Sequence, residues 1–129
     1  MATAQRPIEL IQARSLIASL STAAFLVDEA GNLLFYNEPA EGLLGLRFAD
    51  AGEMGPDEWG SRFAPRAPGG KELAVEELPL TIALREGLPG HALMEITGAN
   101  GEDHQIEVSA IPIRGRSRQH GAFAIFWQA

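Results

Sequence analysis

The chain has 129 residues, 46% of them hydrophobic, and a formal net charge of -7. That length and apolar content suit one domain with a real core, and a surface this acidic repels phosphate backbones, so nucleic acid is not an expected partner. There is no cysteine, which removes disulfides, thiolate metal sites, cysteine nucleophiles and photochemistry through a cysteine adduct.

Ile8 to Leu20 is predicted to be a helix, with Pro7 at its first position. Leu10, Ala13, Ile17 and Leu20 form an apolar stripe, with Leu16 beside it. Ala23 to Asp28 and Leu33 to Tyr36 read as two strands of a hairpin, turned by EAGN. Asn37 stands where a helix N-cap belongs, Pro39 sits just inside, and Gly45 ends the short helix. The pattern weakens from Arg47 to Gly70, apart from one helical turn over Asp57 to Phe63 that aligns Trp59 with Phe63. The run APRAPGGKEL is a loop.

Ala74 to Glu86 is predicted to be one helix, with Pro79 tolerated near its first turn. Leu80, Ala83 and Leu84 share one face, and Gly87 is the stop. The remainder reads as strands: His91 to Gly98, a turn at Asn100-Gly101, His104 to Ile113, the basic turn RGRSRQHG, and Gly121 to Gln128. Strands split around a helical middle predict an α+β fold with one mainly antiparallel sheet. No apolar run approaches the ~20 residues of a membrane span. MATAQRPIEL contains no secretory apolar segment, so no membrane contact and a cytoplasmic location are expected.

No catalytic constellation is visible: there is no nucleophile elbow, phosphate loop or metal-binding histidine pair. Glu76 and Glu77 fall in a first helical turn, where acidic residues suit the dipole, and Asp57 and Glu58 read the same way. Glu9, Glu38, Glu41 and Asp50 read as solvated surface. Arg114, Arg116 and Arg118 cluster in the basic turn and read as a solvated loop, with an anion or acidic-partner site as the alternative. No enzyme activity is expected.

The ordered set of AAFLVD, Gly31, the strand ending in Asn37, PAEGLLG, EELPLTIALREG, IEVSAIPIRG and GAFAIFWQ resembles a bacterial PAS (Per-Arnt-Sim) domain, a sensory and dimerisation module. The resemblance runs from about Ser15 to Trp127 and divides the chain into an N-terminal helix, 1–21, for docking or dimerisation, and a PAS domain, 22–129. It implies a five-stranded antiparallel sheet in spatial order 2-1-5-4-3, with helices over one face and a small cavity between them. It further implies signal transduction by conformational change, passed to an output domain or a partner signalling protein. Many relatives continue through an Asp-Ile-Thr-like junction. Gln128 occupies that region here, which leaves open both a fragment of a longer sensor and a free-standing protein.

Alternation along the strands assigns the faces. Phe25, Val27, Met94, Ile96, Ile106, Val108, Ala110, Ala122, Ala124 and Phe126 are expected to face the helices. A candidate pocket therefore comprises Phe25, Val27, Trp59, Phe63, Leu84, Met94, Ile96, Ile106, Val108 and Phe126, for a small apolar ligand, with Trp59 or an acidic residue supplying polarity at the mouth. The alternative is a filled core in a pure interaction module. A cone-fold enzyme is a third reading, and it would need an acid–base residue on the inner face.

Flavin is not expected. Flavin-binding relatives place amides on these strands, where this chain has Ile96, Ile106 and Phe126. Haem is not expected either, because the central helix has no histidine, and His91, His104 and His120 read as strand-end or surface residues. No metal is expected.

The opposite parity is unusual. Phe123, Ile125 and Trp127 point away from the helical layer, joined by Leu26, Ile111 and Ile113, with Gln105, Glu107 and Ser109 at the polar end. Such a stripe marks a contact. Leu10, Ile17 and Leu20 of the first helix are the expected cover, together with Phe123, Ile125 and Trp127 as a candidate interface. The cover is either the chain's own helix or a partner's, and a homodimer is the expected state.

Overall fold

A computed structural model describes residues 6–115 and 119–129. Helix α1 runs over Ile8–Ala18. Strands β1 (Ala23–Asp28) and β2 (Leu33–Tyr36) follow, then helices α2 (Glu38–Leu44), α3 (Phe48–Ala51) and α4 (Pro56–Phe63). A 3-10 turn over Val75–Glu77 leads into α5 (Pro79–Glu86), and β3 (Gly90–Thr97), β4 (Asp103–Arg114) and β5 (Gln119–Gln128) complete the chain. All four strand pairings are antiparallel and the sheet order is β2-β1-β5-β4-β3, the order that the resemblance implies.

The first hairpin closes as its residues dictate. Gly31 takes φ 85°, and the Asp28 carboxylate accepts the backbone N–H groups of Ala30 and Asn32. Asn37 then caps α2, and Gly45 ends it in the left-handed region at φ 69°. Pro112 is tolerated within β4 because β3 reaches only as far as Ala110, so the strand edge beside Pro112 is unpaired on that side.

Three elements differ from the sequence reading. The expected single helix over Ala74–Glu86 is broken: Leu78 is extended at φ -75°, ψ 144°, and Pro79 opens a separate α5. The pyrrolidine ring pushes the residue before it out of helical geometry. Pro7 is the N-cap of α1 instead of its first helical residue, and that helix ends at Ala18 instead of Leu20. Helix α3 has no expected counterpart. Tertiary contacts hold it: the Phe48 ring meets Phe35 and Tyr36 edge-on at 5.3 Å each, and the Glu41 carboxylate accepts the Phe48 N–H at 2.8 Å. Arg116 and Arg118 of the basic turn lie outside the described residues.

Two apolar layers result. The inner layer lies between the sheet and helices α2 to α5, and all ten strand residues expected to face the helices are buried in it. The outer layer is smaller. Leu10 and Ile17 of α1 pack there on Ala24, Leu26 and Leu34, with Ile113, Phe123 and Ile125 at its margin. Gly121 makes this close packing feasible. A Cβ there would run into the Val27 carbonyl and come within 2.9 Å of the Leu10 side chain.

Candidate functional site

The inner layer is not completely filled. A cavity of about 70 Å³ lies between the sheet and the helical cover. Phe25, Met94, Ile96, Ile106, Val108 and Phe126 line it from the strands, and Trp59 and Phe63 from α4. Leu44, Pro65, Leu78, Pro79, Leu80 and Ala124 line it as well, and the sequence reading did not single these out as pocket residues. A signal existed for two of them: Leu80 was on the apolar face of its helix, and Ala124 shared parity with Phe126.

Every lining residue is buried. At ~10–15 Å³ per water, the cavity holds about five water-sized groups.

Two of the candidate pocket residues, Val27 and Leu84, do not reach this cavity. They line a second, wider cleft of about 270 Å³, bounded by Ala30 and Gly31 of the β1–β2 turn, Pro56 at the start of α4, Val75 and α5. Glu29, Thr81 and Arg85 supply its polar groups. Trp59 and Leu80 belong to both spaces and form the wall between them.

The sequence pointed to Trp59 as a source of polarity at the mouth, but here it brings none to the cavity. Its indole N–H donates to the Gly31 carbonyl at 2.9 Å, which engages its one polar atom. Its ring stands edge-on to Phe25 at 5.3 Å.

Among the described residues, Asn37 is the one buried polar residue besides the aromatic core, and it joins the two layers. Its Oδ1 accepts from Ala24 N–H at 2.9 Å and from Ala40 N–H at 3.2 Å. Its Nδ2 donates to the carbonyls of Ile17 and Thr22, each at 2.9 Å. The side chain thereby ties the end of α1 to β1 and to the start of α2, with both donors and both acceptor positions used.

The outer face is covered only in part. Of the candidate interface residues, Leu10, Ile17, Leu20, Phe123 and Ile125 sit in the seam between α1 and the chain's own sheet. Trp127 remains 38% exposed, with its ring 6.1 Å from His91. The far side of α1 presents Ile8, Ile11 and Leu16 to solvent, at 58%, 45% and 60% exposure.

The histidines occupy three different settings. His91 bonds Ser109 at 3.0 Å and Glu107 at 3.1 Å on the outer face. His120 lies 3.5 Å from Glu9. His104 keeps the expected strand-end place as the second residue of β4, but strand parity turns it inward: its side chain is 12% exposed, and neither ring nitrogen has a hydrogen-bond partner. Among the described residues, no group of three or more histidine, cysteine, aspartate or glutamate side chains is placed to hold a metal ion. No helix among them is long and apolar enough to cross a membrane.

Comparisons with known proteins agree with this geometry. The PAS domain of a protein from Colwellia psychrerythraea superposes with a TM-score of 0.66 at 20% identity, covering 93% of this chain and 96% of that one. The LOV protein of Rhodobacter sphaeroides gives 0.73 at 17% identity, covering 95% and 68%. The PAS domain of nitrogen regulation protein NR(II) from Vibrio parahaemolyticus gives 0.65 at 17% identity, covering 91% and 97%. No family sequence model and no curated protein sequence matches the chain. The chain has the PAS fold.

Proposed function

We propose that this chain is a sensory PAS module that relays a conformational change from its inner layer to its outer layer, as a homodimer in the cytoplasm. The observation that carries the reading is the Asn37 amide, whose bonds reach Ala40 on the inner side and Ile17 on the outer side. A ligand that favours one packing of the inner helices changes the position of α2, and through Asn37 the seating of α1. The ligand must bind the two packings with different affinity for the relay to work. The small apolar cavity supports an apolar ligand group there, not a catalytic one, since no acid–base side chain lines it.

Flavin does not fit this lining. No side chain of the cavity offers a free donor or acceptor to a polar ring edge, and about 70 Å³ is far below the several hundred Å³ of typical ligand sites. Haem gains no support either, because no histidine lines the cavity.

The exposed residues Ile8, Ile11 and Leu16 support dimerisation through the far side of α1, with Trp127 beside the seam. An output domain or partner signalling protein would receive the change through that helix or the end of β5.

Hydrogen exchange tests the relay. Ile106→Ala enlarges the cavity from the sheet side and should raise exchange in α1 more than in β3 and β4. Exchange that rises equally everywhere reports global destabilisation alone and would rule the relay out. Sedimentation at tens of micromolar tests the dimer, and a monomer there rules it out.

A further inference from the structure

We propose that the larger cleft is the principal ligand site, taking an uncharged amphiphile whose unbranched apolar tail passes between Trp59 and Leu80 into the smaller apolar cavity. This deepens the sensory reading and rests on it for its consequence, though not for the binding itself.

Size is the first argument. The cavity alone holds about five water-sized groups, too few for a selective ligand, whereas the cleft is several times larger. The two spaces share a wall of only two side chains, so moving Trp59 and Leu80 merges them. Both wall residues pack in the inner core, Trp59 at 6% and Leu80 at 7% exposure. Trp59 is retained by one hydrogen bond to Gly31 and an edge contact with Phe25. Leu80 lies in the first turn of α5, directly after the extended Leu78 and Pro79.

Chemistry is the second argument. The cleft floor is apolar, formed by Val27, Val75, Leu80 and Leu84. Its charged groups are one carboxylate, Glu29, and one guanidinium, Arg85. A charged head of either sign meets one attractive and one repulsive partner, and the net charge of -7 disfavours an anion further. The Thr81 hydroxyl offers both donor and acceptor to a neutral head. The cavity beyond the wall is small and wholly apolar, which suits an alkyl chain.

Calorimetry with 1-hexanol, 1-octanol and 1-decanol tests this on the wild-type chain, with octanoate and octylamine as the charged counterparts of octanol. Affinity should rise about fourfold per added methylene as the tail enters the cavity. Octanoate and octylamine should each bind at least tenfold more weakly than octanol. The labelled methyl of Met94, which lines the cavity and not the cleft, should shift with decanol. Leu84→Glu should abolish binding at every length. Ala124→Leu, which fills the cavity, should remove the gain in affinity with length.

A Met94 methyl that decanol leaves unmoved, an affinity independent of length, or charged heads that bind as tightly as octanol would each overturn the proposal, with no variant required. The relay is read separately: an alcohol that binds as described without altering exchange in α1 upholds the site and overturns the relay. No binding by any alcohol, with α1 still responding to Ile106→Ala, overturns the site and upholds the relay.

Discussion

The Asn37 side-chain amide donates to the Ile17 carbonyl at 2.9 Å, and this bond crosses from the helical cover on one face of the sheet to the helix on the other. Asn37→Ala leaves the Ala24 and Ala40 N–H groups and the Ile17 and Thr22 carbonyls without their partner in a buried site. The expected cost is roughly 2–4 kcal/mol in urea unfolding. Asn37→Asp keeps the accepting oxygens but loses both donations, so it should retain the α2 cap while loosening α1. Exchange protection at α1 and α2, measured separately, checks this split.

Tyr36 is the only tyrosine of the chain, which makes its titration directly visible. Burial, followed by the nearby Glu41 carboxylate, pushes its hydroxyl up to about 12, while Arg62 acts in the opposite direction. The hydroxyl donates to the Leu46 carbonyl at 2.7 Å. The folded state therefore holds this proton more tightly than the unfolded chain, whose value is ~10. Its contribution is complete below pH ~10 and is lost as pH rises through the folded value. Tyrosinate absorbance should appear late in the alkaline titration, and Tyr36→Phe should flatten the stability loss above pH ~10. Tyrosinate appearing at the ordinary pH would contradict the assignment.

Gly121 lets β5 lie close to both β1 and α1, so Gly121→Ala should force the Val27 backbone carbonyl away from β5 as well as displace Leu10. An overpacking cost of ~1–3 kcal/mol is expected, read as a lower urea midpoint at unchanged slope. Exchange should rise first where β1 and β5 meet at Val27 and Gly121 and in α1, ahead of β3 and β4.

Ile11→Glu combined with Leu16→Glu alters only solvent-facing positions of α1. Monomer stability should change by no more than ~0.5 kcal/mol per site. The sedimenting mass should fall from dimer to monomer over the tens of micromolar range. An unchanged dimer would move the interface elsewhere, with the exposed edge of the outer face near Trp127 and Leu93 as the next surface to alter.

Much of the fold was legible because its signals are local. Period-two alternation from Ile106 to Ala110 and from Ala122 to Phe126 set the inner face, and the turn residues Gly31 and Asn100-Gly101 bounded the hairpins. The break before α5 was present in the sequence as Pro79, but its tolerance in a first turn outweighed its effect on Leu78. Helix α3 has no such local mark, since FADA is held by the packing of Phe48.

The candidate site was legible as a set of side chains and not as a shape. Strand parity brought Phe25, Met94, Ile96, Ile106, Val108 and Phe126 to one cavity. It could not show that the tilt of Trp59, fixed by its bond to Gly31, walls Val27 and Leu84 off from them. Nor could it show that the stripe on α1 finds its cover within the same chain.

The two tryptophans stand on opposite faces of the sheet, Trp59 buried in the inner layer and Trp127 38% exposed on the outer one. Trp59 should therefore emit to the blue of Trp127, and the two emissions should be separable. Excitation at the red edge, with an aqueous quencher such as iodide, selects Trp127, while the quencher-resistant emission reports Trp59. Changes around Trp59 in the inner layer and around Trp127 on the outer face can thus be timed in a single unlabelled sample, and the order in which the two signals change tests the proposed direction of the relay.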